Sequence, residues 1–283
     1  MKKSLLPLLA STLLAACTAP MGMKGAQLDY YPSANEDSRV LFLVLHYTEE
    51  SWDDSLRLLA RDRAAGGGTV SAHYLVRDDP VKVYQLVDEN RRAWQAGASY
   101  WQGTQNLNSA SIGIEIVNPG DKNLATGVRN GQYAPYPAMQ LDAVVALVKD
   151  IVARHHIKPD RVVGHEDIAP DRRRDPGPFF PWHRLYEAGV IAWPDAAQVG
   201  TKTAEFATAL PSVEWAQTKL GKYGYLIPVT GKLDEHTRNV ISAFQMKYRP
   251  AKYDGELDAE TAALIDVATT PGGMRMADGK ALN

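Results

Sequence analysis

Apolar positions follow two rhythms along this chain. Residues 40–46 form a nearly continuous apolar run ending on His46, which predicts a buried strand. Residues 70–77 and 81–87 predict two more strands flanking Asp78-Asp79-Pro80, a hairpin turn. Residues 112–117 alternate, with Ile112, Ile114 and Ile116 on one side and Gly113, Glu115 and Val117 on the other. Helical spacing governs Leu141, Val144, Val148, Ile151, Val152 and His155, and Pro159 marks the end of that stripe. A shorter helix is expected over 51–63, with Ser51 as N-cap and Asp53 and Asp54 favouring the dipole in its first turn. Gly66-Gly67-Gly68 predicts a loop after it. Residues 161–164 then make a short strand that delivers His165 to its tip.

Past residue 194 the pattern changes. Pro and Ala enrichment over 194–211 predicts a linker. Beyond it Gly231-x-Leu233-Asp234-x-x-Thr237 recurs as Gly255-x-Leu257-Asp258-x-x-Thr261. Each copy supplies a turn glycine, a buried leucine, an aspartate N-cap and the first turn of a helix. Val240, Ile241, Phe244 and Tyr248 form one helical face between the copies. The fold expected is an α/β domain, a mixed sheet flanked by helices, followed by a small all-α domain of three helices with internal pseudo-symmetry.

Composition changes this picture little: 45% hydrophobic, 23% charged and a formal net charge of -2 suit a globular protein and give no reason to expect a nucleic-acid partner. No obligate protein partner is evident. The single cysteine, Cys17, excludes an intramolecular disulfide. Its surroundings matter more. Lys2 and Lys3 precede an apolar stretch that ends in Leu14-Ala-Ala-Cys17, the layout of a secretory signal, and too short to span a membrane. Leu14-Ala-Ala-Cys17 resembles the lipobox of bacterial lipoproteins. That resemblance implies lipidation of Cys17, a membrane anchor and, with Thr18 rather than Asp next, the outer membrane facing the periplasm.

Among the seven histidines, His46 and His165 stand where predicted strands end and loops begin. Asp175 follows in Arg172-Arg173-Arg174-Asp175-Pro-Gly-Pro178, too rich in Pro and Gly for helix or strand. Two imidazoles and a carboxylate suit zinc and leave a fourth position for water. Each also has an ordinary role: a hydrogen-bonded histidine at a strand tip, a turn-forming Asp before Pro, a solvent-facing Glu115. The residues by themselves leave both readings open. His73 is expected to be structural, His155 and His156 to close a helix, and the Arg172–Arg174 run to be solvated. Trp94, Tyr100 and Trp101 are expected in the core, with a sugar-facing wall as the alternative.

Four segments in order carry a resemblance: Leu45-His46-Tyr47-Thr48, Ser111-Ile-Gly-Ile-Glu115-Ile, Gly164-His165-Glu-Asp-Ile-Ala-Pro170 and Asp175-Pro-Gly-Pro178. They are similar to motifs of the type 2 N-acetylmuramoyl-L-alanine amidases, over roughly residues 39–195, and Ala93-Trp94-Gln95-Ala96-Gly97 between them is similar too. The resemblance implies Zn2+ held by His46, His165 and Asp175, Glu115 as catalytic acid and base, and Arg173 at a place where close relatives usually have Lys. It implies substrate contacts at Tyr47, Trp94, Ala96 and Gly97. Gln95 stands where relatives often have His, and Glu166 where Ser is commoner. The whole chain resembles the outer-membrane lipoprotein members, whose helical module binds peptidoglycan.

The expected organisation is therefore a signal peptide over 1–16, lipidated cysteine and tether over 17–38, and zinc amidase domain over 39–195. A linker over 196–210, a peptidoglycan-binding-like domain over 211–270 and a tail over 271–283 follow. The expected reaction is hydrolysis of the amide between the lactyl group of N-acetylmuramic acid and L-alanine, on peptidoglycan or muropeptide fragments. A non-catalytic peptidoglycan receptor or wall tether is the alternative. Removing residues 211–270 is expected to spare an enzyme's activity on soluble fragments.

Overall fold

Five strands make the central sheet. The apolar run becomes β1 (Phe42–Tyr47), followed by helix α1 (Trp52–Ala60), whose N-cap Ser51 accepts from the Asp54 amide as expected. Strands β2 (Tyr74–Arg77) and β3 (Lys82–Gln85) form the antiparallel hairpin, both shorter than their apolar runs suggested. A small ribbon, β4 (Tyr100–Trp101) and β5 (Thr104–Gln105), precedes β6 (Ser111–Ile116). Helix α2 (Ala138–His155) then leads to β7 (Val162–Gly164). The strand order is β3-β2-β6-β1-β7, with β2, β6, β1 and β7 parallel. The computed structural model describes residues 31–36, 38–61, 69–121 and 132–282; the expected signal, Cys17 and the Gly66-Gly67-Gly68 loop lie outside them.

Alternation along the strands sorts side chains onto two faces. Leu43, Leu45, Ile112, Ile114 and Ile116 pack with Val144, Val148 and Ile151 of α2. Phe42, Val44 and Val163 face the other way and share a core with Leu220, Val240, Ile241 and Phe244 from the helical region. The C-terminal helices thus cover one side of the sheet, and the described residues from Ser38 onward form a single compact unit. None of the described helices is long and apolar enough to cross a membrane.

Two short helices, α3 (His165–Ile168) and α4 (Trp182–Glu187), lead to β8 (Trp193–Pro194). The expected linker is instead helix α5 (Ala196–Thr208), capped by Asp195 through the amides of Ala197 and Gln198. Its prolines, Pro194 and Pro211, bound the helix rather than interrupt it. Helices α6 (Val213–Tyr223), α7 (Glu235–Tyr248) and α8 (Ala259–Thr269) are the three expected ones. The supposed tail contributes β9 (Met274–Arg275), which pairs with β8.

The repeated motif makes the turns and caps its spacing implied, but Leu233 and Leu257 are half-buried at the edge of the core rather than buried in it. Asp234 and Asp258 cap α7 and α8 through the amides of Thr237 and Thr261, and Gly231 and Gly255 adopt positive φ. Two glutamines complete the symmetry. Gln217 accepts from the Gly231 amide and donates to Thr237, while Gln245 accepts from the Gly255 amide and donates to Thr261. Both are fully buried, so each amide answers turn groups that would otherwise lack partners.

Candidate metal centre

Register assembles the site. In the parallel ladder His46 lies beside Glu115 and Leu45 beside Gly164, so His165 follows next to His46. Three adjacent strands β6, β1 and β7 therefore deliver Glu115, His46 and His165 at their carboxyl ends, where ligands collect on α/β sheets. Asp175 comes back from the irregular segment after α3. Its carbonyl accepts from the Glu166 amide at 2.9 Å, and the Gly177 amide donates to Glu166 Oε2 at 3.0 Å.

The three expected ligand groups converge. His46 Nδ1 is 3.0 Å from His165 Nδ1 and 2.8 Å from Asp175 Oδ2, and His165 Nδ1 is 3.1 Å from that oxygen. All three residues are buried. The opposite ring nitrogens decide the tautomers. Ser111 donates its hydroxyl to Leu107 O at 2.7 Å and so accepts from Gln95 Nε2 at 2.8 Å. This orientation turns Gln95 Oε1 toward His46 Nε2, 2.5 Å away, which must then carry the proton. His165 Nε2 likewise faces the Ala96 carbonyl at 3.2 Å and donates to it. Two bare Nδ1 lone pairs and a carboxylate oxygen are left aimed at one point.

Such a cluster requires a positive charge. Burial by itself would drive a proton off His46, but Glu115, Asp175 and the Gln95 contact outweigh it and raise its pKa. Burial lowers that of His165 despite Asp175. Against burial, the two imidazoles hold Asp175 ionised, well below the usual carboxylate range. Neutral imidazoles with their second N–H engaged, plus one ionised carboxylate, are the donor set zinc takes, with a fourth position left open. The residues fit the ion.

Around the cluster is a cavity of about 290 Å³, lined by Tyr47, Glu49, Leu58, Trp94, Glu115 and Arg173 among others. Burial pushes the Glu115 carboxyl up to about 7, helped by Asp175 and opposed by His46 and Arg173. Its Oε2 is buried without a protein hydrogen-bond partner, as is Arg173 Nε. Trp94 is 45% exposed at this cavity rather than in the core, whereas Trp101 is core and donates to Asp160 O. Tyr100 is half-buried. Ala96 and Gly97 do not line the cavity: Ala96 holds His165 from behind, and Arg172 packs on Gly97 and donates to Ala96 O.

Other residues fall into place without chemistry. His73 accepts from the Gly113 amide, His155 pairs with Glu89 at 2.7 Å, and His156 ends α2 in the left-handed region. The arginine run is pinned while still reaching solvent: Arg172 is exposed yet holds the Ala96 and Ala98 carbonyls, and half-buried Arg174 donates to Asn239. Asn108 was missed: its Oδ1 accepts from the amides of both Gln95 and Ala96 and so sets the turn behind the histidines. Nothing in its sequence neighbourhood signals that.

The N-acetylmuramoyl-L-alanine amidase family matches residues 36–178, and the peptidoglycan binding domain family matches residues 210–265. The chain is 42% identical over 269 residues to the N-acetylmuramoyl-L-alanine amidase AmiD of Escherichia coli (strain K12), covering 91% of this chain and 94% of that one. The structure of that amidase with anhydro-N-acetylmuramic acid-L-Ala-D-gamma-Glu-L-Lys superposes with a TM-score of 0.74 at 40% identity, over 87% and 95% of the two chains. AmpDh3 of Pseudomonas aeruginosa in complex with an anhydromuramic pentapeptide gives 0.76 at 38% identity, over 85% and 96%. By sequence along nearly its whole length and by fold, this chain belongs to the N-acetylmuramoyl-L-alanine amidase family.

Proposed function

We propose that the chain hydrolyses the amide between the lactyl group of N-acetylmuramic acid and L-alanine of the stem peptide, using zinc. The observation that carries this reading is the convergence of His46, His165 and Asp175 in one cavity with Glu115, whose Oε2 is buried without a protein hydrogen-bond partner. Zinc at the three ligand atoms would polarise the scissile carbonyl and make water more acidic near neutral pH. Glu115, with a carboxyl raised to about 7, is suited to take the proton of the attacking water and return it to the departing alanine nitrogen. Arg173, which lines the same cavity, would donate to the oxyanion that develops on the carbonyl oxygen. Its guanidinium keeps the charge of a lysine but not its compact geometry.

Muramyl-peptide ligands in the complexes of AmiD and AmpDh3 support the substrate class. The helical region and a lipid on Cys17 would both concentrate the enzyme at a polymeric wall. Cys17→Ala tests the anchor: the protein should move from the membrane to the soluble fraction, and unchanged membrane retention would refute it. For the chemistry, Glu115→Gln should bind zinc as the parent does while turnover falls by about 10²–10⁴. Retention of most activity in that variant removes Glu115 from the mechanism.

A further inference from the structure

The helical region carries polar side chains that reach the turns bearing the metal ligands. Lys247 and Asp167 are both fully buried, 3.2 Å apart. Asp167 lies two residues beyond His165. Its carboxylate also accepts from the Gly164 amide at 3.0 Å and from the Tyr225 hydroxyl at 2.6 Å. Lys247 donates in addition to Val162 O at 3.1 Å and lies 4.3 Å from the Trp182 ring centre. One ammonium thus ties the strand before His165 to the turn that holds it.

The other end of α7 grips the second ligand segment. Asp171 meets His236 Nδ1 at 2.7 Å and Asn239 Nδ2 at 2.9 Å, while Arg174 donates to Asn239 Oδ1 at 2.9 Å. Asp171 and Arg174 flank Arg173, and Arg174 adjoins Asp175. His236, Asn239 and Lys247 are spaced by three and eight residues, which places them on one face of a helix. That face is seated across the turns carrying His165, Arg173 and Asp175.

We propose that α7 is a working part of the metal centre, and that Lys247 and Tyr225 are positioning residues which fix His165 through Asp167. The helical region then does more than contact the wall: it holds the ligand loops at coordinating distance. Asp167 is not among the three converging ligand groups and its carboxylate is engaged by Gly164, Tyr225 and Lys247, so its effect passes through the turn 164–167, as outer partners of metal ligands commonly act.

The inference rests on the zinc reading above, and a chelator-competition titration of the purified chain separates the two. If the parent binds no zinc, that reading fails. If the parent binds, Tyr225→Phe, which removes one hydroxyl at almost no change in volume, should weaken zinc several-fold. Lys247→Met should weaken it about tenfold or more. Cobalt substitution should show an altered d–d absorption in both, which mere loss of stability would not produce. Lys219→Met breaks an ion pair with Asp266 that is internal to the helical region and should leave zinc affinity unchanged. Lys247→Met and Asp167→Asn combined should weaken zinc no more than the worse single change. Zinc affinity within twofold of the parent in Tyr225→Phe and Lys247→Met, or an equal loss in Lys219→Met, overturns the proposal. Should Lys247→Met fail to fold, Tyr225→Phe carries the test.

Discussion

Gln95 offers the sharpest quantitative handle on the site. Its amide bridges His46 Nε2 and Ser111 Oγ, so Gln95→Ala strands an imidazole N–H on a residue that is 1% exposed. An unsatisfied buried donor costs about 1–3 kcal/mol, and loss of an outer partner of a metal-bound histidine typically lowers affinity about 10–100-fold. The two scales agree, since tenfold is about 1.4 kcal/mol. Space for Gln95 comes from Gly113 on the neighbouring strand: a Cβ there would sit 2.5 Å from Gln95 Cγ and 2.8 Å from Cδ. Gly113→Ala should therefore displace the same amide and weaken zinc by a comparable factor, though it places no group near the ion. In Gln95→Ala the clash disappears, so the double variant should be no weaker than Gln95→Ala alone. Competition against a fluorescent zinc chelator measures all four proteins. Zinc affinity within twofold of the parent in Gln95→Ala, or a Gly113→Ala loss that simply adds to it, would refute the reasoning.

Glu115 governs two further outcomes. The base must be ionised to accept a proton, so kcat/KM should fall as pH drops through about 7, or lower once a dication at the ligand atoms stabilises the carboxylate; a flat profile from pH 5 to 8 would count against it. In the metal-free protein the sign concerns stability: a carboxyl raised from 4.5 to about 7 costs nothing below pH 4.5 and destabilises the fold increasingly up to about 7. Metal-free Glu115→Gln should thus be more stable than the parent at pH 8, on the order of 3 kcal/mol, and equal to it at pH 4 by denaturant unfolding. Phe244 is fully buried in the core that the helices share with the sheet, and Phe244→Ala should cost about 3–5 kcal/mol in one cooperative transition. Deleting residues 211–270 should expose Phe42, Val44 and Val163 and abolish activity even on soluble fragments, contrary to what a tethered module would allow.

Much of the sheet was legible because its signals are local. Continuous and alternating apolar runs specified β1 and β6 within a residue or two, and the helical stripe specified α2. His46 and His165 were visible as strand-tip histidines, and the ladder register explains why they meet. Asp175 stood as one of two open readings, ligand or turn-former, and the role of Arg173 came only through resemblance, since no periodicity marks an irregular Pro-Gly segment. The second half misled for a physical reason. Residues 196–208 are Ala- and Thr-rich with no fully buried side chain, so they lack the apolar stripe that announces a helix. Nothing local marks Lys247 as buried, and only packing of α7 on the sheet reveals it as a buried partner of Asp167. The docking of one region on another is a long-range fact that short windows do not contain.

The central claim is amide hydrolysis by zinc held on His46, His165 and Asp175. Its most direct test is mass spectrometry of muropeptides incubated with the purified protein as prepared, after chelation, and after zinc is returned. The account predicts free stem peptides beginning with L-alanine, lost on chelation and restored by zinc. Intact muropeptides from protein with zinc demonstrably bound would contradict it.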